Sequence, residues 1–244
     1  VNEIRLVCFD LDHTLIYEIH SVMYPCILNG KYNEVLEVEK KEQNGVYDWI
    51  EADYHRALLI EGLHIESLEK HFDSIIKPIQ NIKQTIDKLH EKGMKCILIT
   101  AGPNQVAKVA AERWGFDFYY GSLYEVENDQ FTGKIIKHTG DKGKLEHLIE
   151  HCEKNGYKSE DCFAVGDGGT DIPIFEYCGN SLAINYADSI IGKAKYFIKT
   201  DDLKDILIYS LRCRRNFSYG VGVHCISGIQ YRYDVSVRRD AVRH

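Results

Sequence analysis

Residues 4–14 read IRLVCFDLDHT and residues 162–171 read CFAVGDGGTD; in both, an apolar run ends abruptly in aspartate. A short run of that kind, closed by a polar or Gly-containing turn, predicts a buried parallel strand. Residues 96–102, CILITAG, have the same form, so strands are expected over 4–9, 96–100 and 162–166. Between them the apolar residues change to helical spacing. Ile79, Ile82, Ile86 and Leu89 step by three and four before Gly93, as do Leu145, Leu148, Ile149 and Cys152 before Gly156. A further helix is expected from Asn104 to Trp114, closed by Gly115, and short apolar pieces at 182–185 and 196–198 would add edge strands. This alternation predicts an α/β domain built on an open, doubly wound, mainly parallel sheet.

One segment breaks the rhythm. Residues 17–77 separate the first strand from the next core helix with Glu/Lys-rich helical sequence and no strong strand, which reads as an inserted helical cap. The core is then 1–16 and 78–211, with Pro78 marking the return. Residues 212–244 carry seven Arg and two Asp, a charge of +5 that leaves −12 on the preceding 211 residues. In that tail Val221, Val223 and Cys225, then Tyr231, Tyr233, Val235 and Val237, alternate with polar residues around Ser227-Gly228, the pattern of a β-hairpin. Arg among aromatics can bind nucleic acid, but without a recognisable module a solvated face or a homodimer contact is the expectation.

The 244 residues, 44% hydrophobic and 27% charged with a net charge of −7, have an ordinary globular composition and ample chain for a core. No apolar run is long enough to span a membrane, and the N-terminal one contains Arg5 and ends at Asp10. The eight cysteines form neither a zinc knuckle nor a C-x-x-C pair, and three of them (Cys8, Cys96, Cys162) sit inside strand-like runs. That usage predicts core thiols and a reducing cytoplasm.

In open α/β sheets ligands bind beyond the carboxyl ends of the strands. Those places hold Asp10-Leu11-Asp12-His13-Thr14, Thr100-Ala101-Gly102 and Asp167-Gly168-Gly169-Thr170-Asp171, with Lys142 opening the intervening helix. Singly each has a plain structural reading as a turn or helix cap, or as a solvated lysine. Lys144, two residues beyond Lys142, competes for its role. Together the carboxylates make a hard-oxygen site suited to Mg²⁺; without a cation they would repel one another.

These motifs resemble the four of the haloacid dehalogenase-like superfamily, matched by Asp10-x-Asp12-x-Thr14, Thr100, Lys142 and Asp167-x-x-x-Asp171 over about residues 4–211. The cap position and the GDGGTD stretch are most similar to the phosphoserine phosphatase-like branch. The resemblance implies a Rossmann-like core and a Mg²⁺-dependent phosphomonoesterase. Asp10 would be the nucleophile, Asp12 the general acid–base, and Thr100 and Lys142 the phosphate ligands. Asp10, the Asp12 carbonyl and Asp167 would hold the metal, with Asp171 behind. It also places Arg56 on a substrate carboxylate and Trp49 on the pocket wall, with Ala101, Gly102 and Thr170 beside the substrate. Three positions depart from that branch. Thr100-Ala101-Gly102 stands for Ser-Gly-Gly, Thr170 stands for Asn, and the glutamate expected to meet a substrate amine falls on Ile19, with Glu18 one residue off.

The expected substrate is a small phosphorylated metabolite, phosphoserine first, with a sugar or nucleotide phosphate as the alternative. A phospho-accepting receiver shares the acidic site, but it is about half this length and lacks a cap. A catalytically silent phosphate-binding or signalling protein on the same fold is the remaining rival.

Overall fold

The computed structural model describes residues 3–140, 143–212, 222–226 and 229–233. The chain opens with β1 (Leu6–Phe9) and β2 (Ile16–Tyr17), then passes through α1 (Met23–Leu28), α2 (Tyr32–Gln43), α3 (Trp49–Leu58) and α4 (Glu66–Ile75). It returns through β3 (Lys77–Pro78), α5 (Ile82–Glu91), β4 (Lys95–Pro103), α6 (Asn104–Trp114), β5 (Phe118–Glu127) and β6 (Gln130–Lys137). The rest is α7 (Gly143–Asn155), β7 (Cys162–Gly166), α8 (Ile172–Cys178), β8 (Ser181–Ile184), β9 (Tyr196–Ile198), α9 (Leu207–Arg212), β10 (Gly222–Ile226) and β11 (Ile229–Tyr233).

Seven strands form one sheet in the order β6-β5-β4-β1-β7-β8-β9. All neighbours are parallel except β5 and β6. The central strands β1, β7 and β8 are buried on both faces, and alternate residues of the central sheet separate into two cores. Val7, Phe9, Cys96, Leu98, Phe163 and Val165 pack with Ile82, Ile86 and Leu89 of α5 and Val106, Ala107 and Ala110 of α6. Leu6, Cys8, Ile97, Ile99, Cys162 and Ala164 face Leu148 and Cys152 of α7 and Ile174, Phe175 and Cys178 of α8. Helices on both sides are what allow an all-apolar strand to be stable.

Two expectations need correction. Residues 182–185 do not form an edge, because β8 lies between β7 and β9. The sequence reading also missed the hairpin of β5 and β6, which supplies one true edge of the sheet. Asn128 and Asp129, the two residues between these strands, both have positive φ (49° and 62°), the backbone of a tight hairpin turn that Asn and Asp tolerate. That dipeptide between alternating apolar residues was the available signal.

The short β2–β3 ribbon pairs Ile16 with Pro78 and Tyr17 with Lys77, so the chain leaves the core and re-enters it at one place. The four helices between are the inserted segment. Asp48 caps α3 by accepting from the Glu51 N–H at 2.8 Å. The β5–β6 hairpin docks this segment through backbone bonds from Gly62 N–H to Phe131 C=O (2.8 Å) and from Phe131 N–H to Leu63 C=O (3.0 Å). In the tail, β10 and β11 pair antiparallel; residues 213–221, 227–228 and 234–244 lie outside the described residues. Among the described residues no helix is long and apolar enough to cross a membrane.

Candidate active site

The register of β1 against its two neighbours sets the site. Phe9 lies opposite Leu98 of β4 and Val165 of β7, so Asp10, Thr100 and Asp167 emerge side by side at the carboxyl edge of the sheet. Asp10 N–H still bonds Val165 C=O at 3.0 Å, which fixes the first aspartate to the end of β7.

Asp10 is buried, and its two oxygens have different partners. Lys144 Nζ donates to Oδ1 at 2.6 Å, while the Thr14 hydroxyl lies 3.2 Å from Oδ2 and 3.2 Å from Asp167 Oδ1. Lys144 also donates to Asp171 Oδ1 at 2.9 Å. Asp171 Oδ2 accepts the N–H groups of Asp167 (3.0 Å) and Gly168 (3.1 Å), folding the Gly-rich loop back on itself. A Cβ on Gly166 would come within 2.4 Å of the Asp171 carboxylate, so only glycine admits that loop closure. Lys142 lies outside the described residues; among the described residues, the ammonium that reaches Asp10 is that of Lys144, on the first turn of α7.

Asp10, Asp167 and Asp171 each offer an oxygen within 4.8 Å of the others. Burial, with Asp171 as the next cause, pushes the Asp167 carboxyl up to about 7. Burial likewise holds Asp10 well above the usual carboxylate range, Lys144 opposing and Asp171 and Asp167 adding to it. Lys144 stays charged, because Asp10 and Asp171 outweigh its own desolvation. One ammonium does not balance three carboxylates, two of them buried and that of Asp167 partly so, and the surplus of hard oxygen donors fits a Mg²⁺-sized cation.

Asp12 stands apart from that cluster. Its carboxylate accepts from Ser21 N–H and from the Ser21 hydroxyl, both at 2.5 Å. The buried Thr100 hydroxyl donates to it at 3.3 Å while accepting from Gly102 N–H at 3.0 Å. The sequence reading missed Ser21, which leads into α1 and carries no motif; only folding brings it to Asp12. Gly102 is required there, because a Cβ would come within 1.9 Å of Ser21 Oγ.

Asp12, Ala101 and Gly102 form the core side of a cavity of about 350 Å³ whose other wall comes from the inserted helices. That volume is at the small end for ligand sites and matches a small metabolite. Trp49 and Arg56 line it with His20, Glu39, Glu42 and Asp53. Thr170 is half-buried on the loop and is not among the lining residues.

Arg56 is held by carboxylates of the protein itself. Its Nε donates to Glu39 Oε1 at 2.8 Å and its Nη1 to Asp53 Oδ1 at 2.8 Å, while Nη2 reaches Glu39 Oε1 at 2.5 Å and also Glu42 Oε2. These carboxylates take the Nε and both Nη2 N–H groups and one of the two on Nη1. The acids come from α2 and α3. Glu39 and Glu42 stand three apart in a Glu/Lys-rich helix that reads as solvated surface until it is packed against α3.

A family model described as haloacid dehalogenase-like hydrolase matches residues 7–176. The chain is 28% identical over 205 residues to a phosphoserine phosphatase of Saccharomyces cerevisiae, covering 83% of this chain and 66% of that protein. It is 29% identical over 203 residues to one of Archaeoglobus fulgidus, covering 83% of this chain and 58% of that protein. The chain thus spans about three fifths to two thirds of these relatives. A solved structure of a phosphoserine phosphatase as an analogue of its phospho-aspartyl intermediate superposes with a TM-score of 0.71 at 26% identity, over 85% of this chain and 99% of that one.

Proposed function

The chain belongs to the haloacid dehalogenase-like hydrolase family, and from that premise we propose that it is a Mg²⁺-dependent phosphomonoesterase for a small phosphorylated metabolite. The observation that carries the reading is the separation of Asp10, held by Lys144 at 2.6 Å, from Asp12, held by Ser21 at the mouth of the cavity. One carboxylate sits beside the Lys144 ammonium in the acidic cluster, and the other faces the space where a leaving group would lie.

In the first step an Asp10 oxygen forms a bond to phosphorus as the ester P–O bond breaks, and the Asp12 carboxyl gives its proton to the departing alcohol oxygen. In the second step Asp12 takes a proton from water, the water oxygen bonds to phosphorus, and the Asp10–phosphorus bond breaks to release inorganic phosphate. The Lys144 ammonium would offset charge on the transferred group, and Thr14 keeps Asp10 and Asp167 in register. Asp10 and Asp167, with the Asp12 carbonyl and with Asp171 behind, would hold Mg²⁺, which supplies charge neutralisation for the phosphoryl group. Thr100 serves by orienting Asp12 and the Gly102 amide.

Phosphoserine, the substrate in the names of the similar proteins, is the first ester to assay, with sugar and nucleotide phosphates as alternatives. The test of the reaction class is turnover of a generic aryl phosphate with Mg²⁺ and after exhaustive chelation. Activity that requires the metal is expected; unchanged turnover without it would overturn the assignment.

A further inference from the structure

The wall that the inserted helices present to the reaction centre carries more negative than positive charge. Glu39, Glu42 and Asp53 surround one guanidinium, that of Arg56, which leaves −2 with neutral imidazoles. His20 shares Glu39 at 3.3 Å and His138 shares Asp53 at 2.9 Å, so protonating one of them still leaves −1. These acids are not a surface cluster. They line the same cavity as Asp12 and Gly102, so whatever is attached to the transferred phosphoryl group must lie against them.

Two further features define what fits. Each nitrogen of the Arg56 guanidinium already donates to a protein carboxylate, so an incoming carboxylate would find only the second N–H of Nη1 unused and would lie against the three acids. Glu42 is the most open of the three acids, its side chain 30% exposed against 16% for Glu39 and 5% for Asp53. Trp49 shares the cavity with it, and an indole face attracts cations.

We propose that the alcohol released by this enzyme carries a positive charge and that its carboxylate, if it has one, is not what the site reads: the substrate class is the phosphomonoester of a short amino alcohol, recognised through its ammonium by Glu42 beside Trp49. This rests on the phosphatase reading above. Phosphoserine belongs to the class through its amine, but its carboxylate meets an acidic wall, so the carboxylate-free analogue is the better substrate.

The experiment compares phosphoethanolamine, phosphoserine, glycerol 3-phosphate and an aryl phosphate on the full chain with Mg²⁺. The kcat/KM for phosphoethanolamine is expected to exceed that for glycerol 3-phosphate by about tenfold to a hundredfold, the range of a charge-assisted hydrogen bond, and at least to equal that for phosphoserine. Glu42→Gln should shrink the phosphoethanolamine to glycerol 3-phosphate ratio towards one, acting mainly on KM, and Glu42→Asp should restore part of it. A preference for phosphoserine over phosphoethanolamine overturns the proposal, as does equal use of the charged and neutral alcohols. Aryl phosphate turnover without hydrolysis of either amino alcohol ester removes the substrate class and leaves the phosphatase reading standing; no hydrolysis of any ester removes both.

Discussion

Lys144 Nζ lies 2.6 Å from Asp10 Oδ1 with both side chains at most 6% exposed, although 134 residues separate them in the sequence. The pair puts a fixed positive charge against the proposed nucleophile in a site from which water is largely excluded, where such a charge acts at close to full strength. Lys144→Ala should therefore lower kcat by about 10²–10³-fold, as removing a preorganised electrostatic contact does, whereas Lys142→Ala should change it only a few-fold. Steady-state kinetics on the two purified variants decide between the lysines; the reverse ranking would move the role to Lys142.

The two aspartates of the first motif should fail differently. Asp10→Asn is expected to give no acid-stable phosphoenzyme and no turnover. Asp12→Asn should slow both steps by about 10²–10⁴-fold, the usual contribution of general acid–base help. Acid-quench trapping of phosphoprotein during turnover separates them, and near-normal turnover of Asp10→Asn would show that the nucleophile is elsewhere.

Arg56 should matter to stability. Removing it leaves Asp53 and Glu39, both largely buried, and the partly exposed Glu42 without their shared cation. Breaking a buried pair from one side typically costs about 3–5 kcal/mol, and Glu42, the most exposed of the three, adds least. Denaturant unfolding of Arg56→Ala against the parent measures this; a loss under about 1 kcal/mol would mean that the cluster is solvent-screened.

Metal-free protein should lose stability as pH rises. Asp167 is pushed up to about 7 by burial and by Asp171, against about 4 for an unfolded aspartate. Between those values the folded state binds more protons than the unfolded one, so unfolding free energy falls with increasing pH across that window and levels off above it. Thermal unfolding in chelator should therefore be lower at pH 8 than at pH 5, and Mg²⁺ should raise it more at pH 8, where the ligand is already deprotonated. Asp167→Asn should flatten the profile. A parent profile that rises from pH 5 to pH 8 in chelator would contradict the raised carboxyl.

Gly102 and Ser21 should be energetically coupled. A methyl group at 102 would sit 1.9 Å from Ser21 Oγ and would drive the hydroxyl off Asp12. Gly102→Ala is expected to lower kcat at least about tenfold with the fold retained, and the same change in a Ser21→Gly background should cost much less. A double-mutant cycle reads that coupling directly; strictly additive effects would show that the contact does not orient Asp12.

The sequence by itself determined the parallel strands of the sheet and the carboxylates at their ends that are proposed to react. An apolar run that stops at Asp10, Thr100 or Asp167 can be satisfied only by burial between helices, and parallel strands so buried must present their carboxyl ends together. These signals are local, read from neighbours in the chain. Tertiary structure decided the rest, because the remaining partners are remote in sequence and carry no local signature. Ser21 becomes the holder of Asp12, Lys144 the cation of Asp10, and Glu39 and Glu42 the partners of Arg56 only when α1, α7 and α2 are packed around the sheet. A lysine or glutamate on an amphipathic helix looks the same in sequence whether it faces water or a buried opposite charge, and the cost of desolvating it depends on partners that folding alone supplies.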